Sequence, residues 1–127
     1  MRYYLVLIVA LFLLHHLCDL QKQIDDCDNQ LEIAVPKLTD LTKHPRLIET
    51  DSTEWKQVNN HKLVWTSGFY PGVLWYAYDV TGKEKWKQEA IKRTEVFESF
   101  KNITEHHDIG FMMFPAYGLG YEIGNKK

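Results

Sequence analysis

No excess of basic charge marks this sequence: 15 Lys+Arg stand against 17 Asp+Glu, giving a net charge of -2 and a pI near 6.3. Recognition of a phosphate backbone usually rests on a clustered basic face and a pI above about 9, so no nucleic acid partner is expected. No long apolar run is present either. The longest, Tyr4 to Leu14, falls short of the roughly 20 residues that cross a bilayer. Cysteine is scarce. Cys18 and Cys27 are the only two, their spacing alone is weak grounds for a pair, and no metal-ligand pattern surrounds them. Segments with period-two alternation are missing, which leaves helices without a competing strand pattern. With 45% hydrophobic and 25% charged residues, the composition excludes disorder and collagen and is that of one ordinary globular domain.

Aromatic side chains, by contrast, are plentiful: four Trp, seven Tyr and six Phe. Such residues bury large areas in a core, and they also form the walls of carbohydrate and other flat-ligand sites.

The amino terminus reads as a targeting segment. Arg2 precedes the apolar run, and Asp19, Asp25, Asp26 and Asp28 follow it, which is the polarity of a secretory signal over residues 1–18. Export to a periplasmic or extracellular compartment is the expectation. Cys18 stands where a lipoprotein carries its acylated cysteine, although His16 and Leu17 are bulkier than the small residues such a site favours. A membrane association is therefore expected only through the signal or through a lipid on Cys18.

Residues 19–44 form the next region. From Asp28 to about His44 the spacing of Leu31, Val35, Leu38 and Leu41 predicts an outer helix, with Pro36 as a kink and His44-Pro45 as the stop. Ile48 to Leu63 has no period and is expected to be surface loop. Residues 45–127 hold the remaining organisation. Pro71 to Gly82 opens with a proline, closes on a C-cap glycine and is apolar nearly all round, so it must be enclosed on most sides. Lys85 to Lys101 is amphipathic, with Trp86, Ala90, Thr94 and Phe97 on one face, Lys87, Gln88, Lys92, Glu95 and Ser99 on the other, and a Glu89–Arg93 pair at favourable spacing. Asp108 to Tyr121 returns to the all-round apolar type. The order is outer helix then inner helix, twice. Gly68-Phe69 precedes Gly82 by the same interval as Gly110-Phe111 precedes Gly124, as in a stacked or closed array of helix pairs.

Chemistry is concentrated in the two loops that feed the apolar helices. Trp65-Thr66-Ser67-Gly68-Phe69-Tyr70-Pro71-Gly72 carries three aromatics and two glycines, and Asn102 to Asp108 carries His106, His107 and Asp108. Corresponding loops in a ring of inner helices converge at one end, which brings Trp65 toward Asp108: a stacking surface beside an acid and an imidazole, suited to a sugar ring. Two other readings stand beside this one. Asp108 is placed to serve as a helix N-cap, and His106-His107-Asp108 contains metal-ligating types, although adjacent histidines are expected to project in divergent directions and no third ligand is visible. Trp65 fits a core position as well as a ligand platform.

At these two loops the sequence resembles glycoside hydrolase family 88, the unsaturated glucuronyl hydrolases. The stretches that carry the resemblance are Trp65 to Tyr76, Thr81-Gly82 with Trp86, and His106-His107-Asp108-Ile109-Gly110-Phe111. The resemblance implies an all-α fold, an (α/α)6 barrel of which about the first third is present. It implies an axial pocket for oligosaccharides ending in a Δ4,5-unsaturated uronic acid, the products of polysaccharide lyases, and it implies no cofactor. In that family an acid protonates C4 of the enol ether, water adds at C5, and the hemiketal opens with loss of the glycosidic bond. By motif, Asp108 matches the first of two essential aspartates, His107 the adjacent substrate-contacting histidine and Trp65 the tryptophan beside the sugar, while Tyr70 stands where another aromatic is frequent. The second aspartate of the family falls beyond Lys127, so the 127-residue chain is expected to be inactive by itself. The readings that compete are a non-catalytic carbohydrate-binding or assembly module and a related unsaturated rhamnogalacturonyl hydrolase acting on pectin fragments.

Overall fold

The computed structural model describes residues 2–61 and 64–125, with side chains described from residue 17 onward. The chain separates into two compact units, 1–35 and 36–127.

The first unit is a single helix, α1 (Arg2–Ala34). The side chains of residues 2–16, which carry most of the expected targeting segment, lie outside the described set. Among the described residues no helix is long and apolar enough to cross a membrane. Cys18 and Cys27 are both exposed and free. Nine residues apart on one helix, they are separated by about 13 Å along its axis. A disulfide needs Cα atoms within about 7 Å, so the helix itself rules out the pairing that the sequence left open.

The helix ends earlier than the apolar spacing predicts, at Ala34 rather than His44, and a 3-10 turn covers Val35–Lys37. Pro36 supplies the reason: it has no N–H to donate, and its ring clashes with the carbonyl four residues back. Asp40 then builds a turn, accepting hydrogen bonds from the Thr42 hydroxyl at 2.6 Å and the Thr42 N–H at 2.9 Å. The hydroxyl bond, ahead of the amide bond and Lys43, holds the Asp40 carboxyl at about 2.

Where a helix end and a surface loop were expected, the chain forms an antiparallel hairpin, β1 (Lys43–Ile48) and β2 (Trp55–Asn59). The register runs from Lys43 opposite Asn59 to Ile48 opposite Trp55, with an irregularity between Pro45 and Leu47. Proline is tolerated there because a two-stranded ribbon has open edges and a bulge leaves an amide unpaired. The hairpin escaped the sequence pattern because it buries almost nothing: among its residues only His44 is buried. Without a core face there is no apolar alternation to read.

After a 3-10 turn at Trp65–Gly68 the helical array follows: α2 (Phe69–Thr81), α3 (Glu84–Glu95) with a 3-10 continuation at Val96–Phe100, α4 (Ile109–Met113), a π turn at Phe114–Gly118, and α5 (Leu119–Gly124). Gly82 closes α2 with φ of 67°, the left-handed C-cap that glycine adopts without steric cost, and its N–H reaches the Tyr78 carbonyl at 2.8 Å. The amphipathic face of α3 is buried as its spacing requires, through Trp86, Ala90, Thr94 and Phe97. Pro115 lies one residue into the π turn and divides the second apolar helix, because it cannot donate to the ladder.

The Glu89–Arg93 pair forms as its spacing predicts, and Arg93 is buried as well, at 3% exposed. Its Nε donates to Glu89 at 2.9 Å, Nη1 to the Asp40 carbonyl at 3.0 Å and Nη2 to the Leu38 carbonyl. A guanidinium with five donors can satisfy a carboxylate and a loop backbone at once, and here it fastens the turn before β1 to α3.

The apolar helices are enclosed on one face only. α2 buries Tyr70, Leu74, Trp75 and Ala77 but leaves Phe69, Val73, Tyr76 and Val80 exposed, while Phe111, Phe114 and Tyr121 are exposed on the second apolar segment. These are the surfaces for which the barrel reading implies further helices.

Candidate functional site

The site is set by one close crossing. Gly68 lies against the backbone of Met112 so tightly that a Cβ there would overlap the Met112 carbonyl oxygen and sit 2.6 Å from its carbon. The missing side chain at Gly68 lets the Trp65–Gly68 turn meet α4, and that contact brings the two functional loops to the same end of the helices.

At this meeting point Trp65 packs edge-on against Phe69 at 5.5 Å between ring centroids and against Phe111 at 6.0 Å. All three rings remain substantially exposed, Trp65 at 43%. Edge-to-face packing fixes their orientation and leaves ring faces available. At that exposure Trp65 is not a core residue. Phe69 and Phe111 were not singled out from sequence, although the matched Gly-Phe pairs place them at equivalent positions of the two units.

Phe111 leads directly to the acid, because its N–H donates to the Asp108 carbonyl at 3.0 Å in the first turn of α4. The Asp108 side chain makes no capping hydrogen bond. Its carboxylate instead lies 3.3 Å from Nε2 of His107, whose side chain is 88% exposed. His106 satisfies the two amides just before and at the helix start: its carbonyl accepts the Ile109 N–H at 3.4 Å and its Nδ1 accepts the Asp108 N–H at 3.2 Å. Contrary to the expectation that the two imidazoles diverge, their rings stack at 5.2 Å with 16° between planes. Among the described residues no three His, Cys, Asp or Glu side chains gather as a metal would require.

Tyr70 goes elsewhere. It is 7% exposed, with its ring 5.2 Å from the Arg93 guanidinium and its hydroxyl buried without a partner among the described residues. Burial pushes that phenol up to about 12. The structure thus joins Trp65 to the Asp108 turn and His107 to Asp108, and it puts Tyr70 on the buried side of α2 with the Arg93 cluster.

Behind the Trp65 turn stands His44, buried in β1, with Nδ1 3.0 Å from Asn60 Oδ1 and Nε2 3.2 Å from the Thr66 hydroxyl. The Asn60 amide is oriented by donating to the Leu41 carbonyl at 3.0 Å, so its oxygen faces the imidazole. Burial, opposed by the Asn60 bond and reinforced by Arg46, lowers the pKa of His44. The hairpin is tied in this way to the residue next to Trp65.

No protein-family model matches the chain. Individual proteins do. The chain is 39% identical over 61 residues to the unsaturated glucuronyl hydrolase of Bacillus sp. (strain GL1), a match covering 45% of this chain and 16% of the relative. It is 28% identical over 129 residues to the unsaturated glucuronyl hydrolase of Formosa agariphila, covering 92% of this chain and 32% of the relative. The unsaturated chondroitin disaccharide hydrolase of Streptococcus agalactiae is 37% identical over 62 residues, 46% of this chain and 16% of that protein. In fold, the chain matches a crystal structure of an unsaturated glucuronyl hydrolase specific for heparin with a TM-score of 0.72 and 30% identity, over 85% of this chain and 28% of the other. The chain spans no more than about a third of the length of these relatives. In sequence and in fold it is an unsaturated-glucuronyl-hydrolase-like segment, carrying the alternating helices of an (α/α)6 barrel over the part it spans.

Proposed function

We propose that this chain supplies the first part of the sugar-binding end of a glycoside hydrolase that releases Δ4,5-unsaturated uronic acid from lyase-generated oligosaccharides. The observation that carries the reading is the Asp108 carboxylate. It is left out of helix capping, lies against His107, and belongs to the same helix turn as Phe111, which packs on Trp65. A carboxyl group in that setting can exchange a proton with the enol-ether carbon or with the attacking water, while the exposed rings of Trp65, Phe69 and Phe111 offer apolar faces to the sugar. In an enol-ether hydration the proton goes to C4, water adds to C5, and the hemiketal expels the aglycone. Two carboxylates that act directly on the glycosidic oxygen, as in ordinary glycosidases, are not needed.

On this reading the 127-residue chain does not turn over substrate by itself, because the second acid resides on later barrel helices. The polypeptide is exported by the segment 1–18. The relatives are named for unsaturated glucuronyl and unsaturated chondroitin disaccharide substrates, which supports a glycosaminoglycan-like oligosaccharide as ligand. The test follows the ultraviolet absorbance of the C4=C5 enol ether in unsaturated chondroitin and heparin disaccharides. It is expected to persist with the 127-residue chain and to disappear when the chain replaces the matching portion of the Formosa agariphila relative. Turnover by the short chain alone, or none by the chimera when it is folded, would overturn the proposal. Saturable disaccharide binding by the short chain, with an inactive folded chimera, would point to a carbohydrate-binding module.

A further inference from the structure

The functional reading uses Asp108 and His107 and leaves His106 without a role, yet His106 makes the more constrained contacts. Its carbonyl and its Nδ1 take the first two amides at the start of α4, from Ile109 and Asp108. These two amides precede those an N-cap aspartate reaches, which belong to the second and third helical residues, so His106 ties down the backbone that carries the Asp108 carboxylate.

We propose that His106 is a positioning residue that holds Asp108 and His107 in their paired geometry by acting as a neutral imidazole of one fixed tautomer. The inference rests on the proposed role of Asp108 for its functional meaning, but its geometry stands alone. An N–H can be accepted only by an unprotonated ring nitrogen, so Nδ1 of His106 carries the lone pair and Nε2 the proton. The stacked ring of His107 lies 5.2 Å away, with its Nε2 3.3 Å from Asp108 Oδ2. One side chain thus fixes the acid's backbone through a hydrogen bond and its partner imidazole through stacking.

The test is nuclear magnetic resonance on the full 127-residue chain, with no sugar present. Long-range proton–nitrogen correlation near neutral pH is expected to show His106 as the Nε2–H tautomer with an unprotonated Nδ1. Either the Nδ1–H tautomer or an imidazolium there would overturn the proposal, and this measurement needs no variant. His106→Asn keeps an acceptor oxygen close to the place of Nδ1, and His106→Phe keeps a ring for stacking without an acceptor. Hydrogen exchange at the Asp108 amide is expected to be about five- to tenfold faster in His106→Phe and close to wild type in His106→Asn. Equal exchange rates in all three proteins, with the fold intact, would contradict the assignment. Because no sugar enters these measurements, their failure counts against His106 and leaves the uronyl reading to its own assay.

Discussion

Two glycines in this chain respond in opposite ways to the same substitution, and the difference tests the crossing on which the site depends. Gly68 has φ of -71° and ψ of -19°, an ordinary right-handed helical conformation, so alanine meets no backbone strain there. Reduced freedom of the unfolded chain would by itself favour alanine by about 0.4–1 kcal/mol. The contact opposes this. A Cβ at Gly68 overlaps the Met112 carbonyl oxygen and lies 2.6 and 2.7 Å from the carbonyl and α carbons. All three are backbone atoms, and none can rotate aside. Inserting a methyl into well-packed surroundings costs about 1–3 kcal/mol, and with a rigid neighbour the upper end applies, so Gly68→Ala should destabilise by about 2–2.5 kcal/mol net. Gly110, in α4, has nothing within 4 Å of the same added atom and a φ that is not positive. Gly110→Ala should therefore stabilise by about 0.5–1 kcal/mol. Urea denaturation of both variants, followed by far-ultraviolet circular dichroism, gives the two differences from one baseline. A Gly68→Ala protein as stable as Gly110→Ala would refute the close approach of the Trp65–Gly68 turn to α4.

Further predictions follow from the polar contacts. Arg93→Met should cost about 3–5 kcal/mol in urea midpoint analysis, because it leaves Glu89 and the Leu38 and Asp40 carbonyls without their shared donor. His44 has a folded-state pKa below its unfolded value of about 6.5, so the unfolded chain binds the proton more readily. The stabilisation is complete above about pH 6.5 and declines as pH falls through that value toward the folded pKa. A wild-type urea midpoint that falls more steeply than that of His44→Gln between about pH 7.5 and 5.5 is expected, and parallel curves would remove His44 as the cause. Asp108→Asn should shift the melting free energy by no more than about 0.5 kcal/mol, since the carboxylate caps nothing, whereas a large loss would return Asp108 to a capping role.

The helical part of the fold was legible because its burial is periodic. Trp86, Ala90 and Thr94 lie on one side of α3, with Phe97 on its 3-10 continuation, and all are buried, and Gly82 ends α2 with the conformation that only glycine takes easily. The hairpin was illegible for the complementary reason: its strands meet through backbone pairing, with no apolar face to leave a pattern. The Glu89–Arg93 pair was legible from its i to i+4 spacing, but the burial of Arg93 was not, because that spacing says nothing of a distant turn arriving over it. The site divides along the same line. The meeting of the Trp65 turn with the Asp108 turn follows from their matching loop positions, whereas Tyr70, in the same motif, faces inward because it lies one position along α2 from exposed Phe69. His106 was legible only as a metal-ligating type, because its bond to the Asp108 amide depends on where a ring nitrogen points, which spacing does not reveal.

If Asp108 stands out of helix capping in order to act on an unsaturated uronyl sugar, replacing it by Asn in the chimera described above slows the loss of enol-ether absorbance from an unsaturated disaccharide. The expected result is a turnover lower by about a hundredfold or more at an unchanged melting temperature. Equal turnover by the two proteins would contradict it.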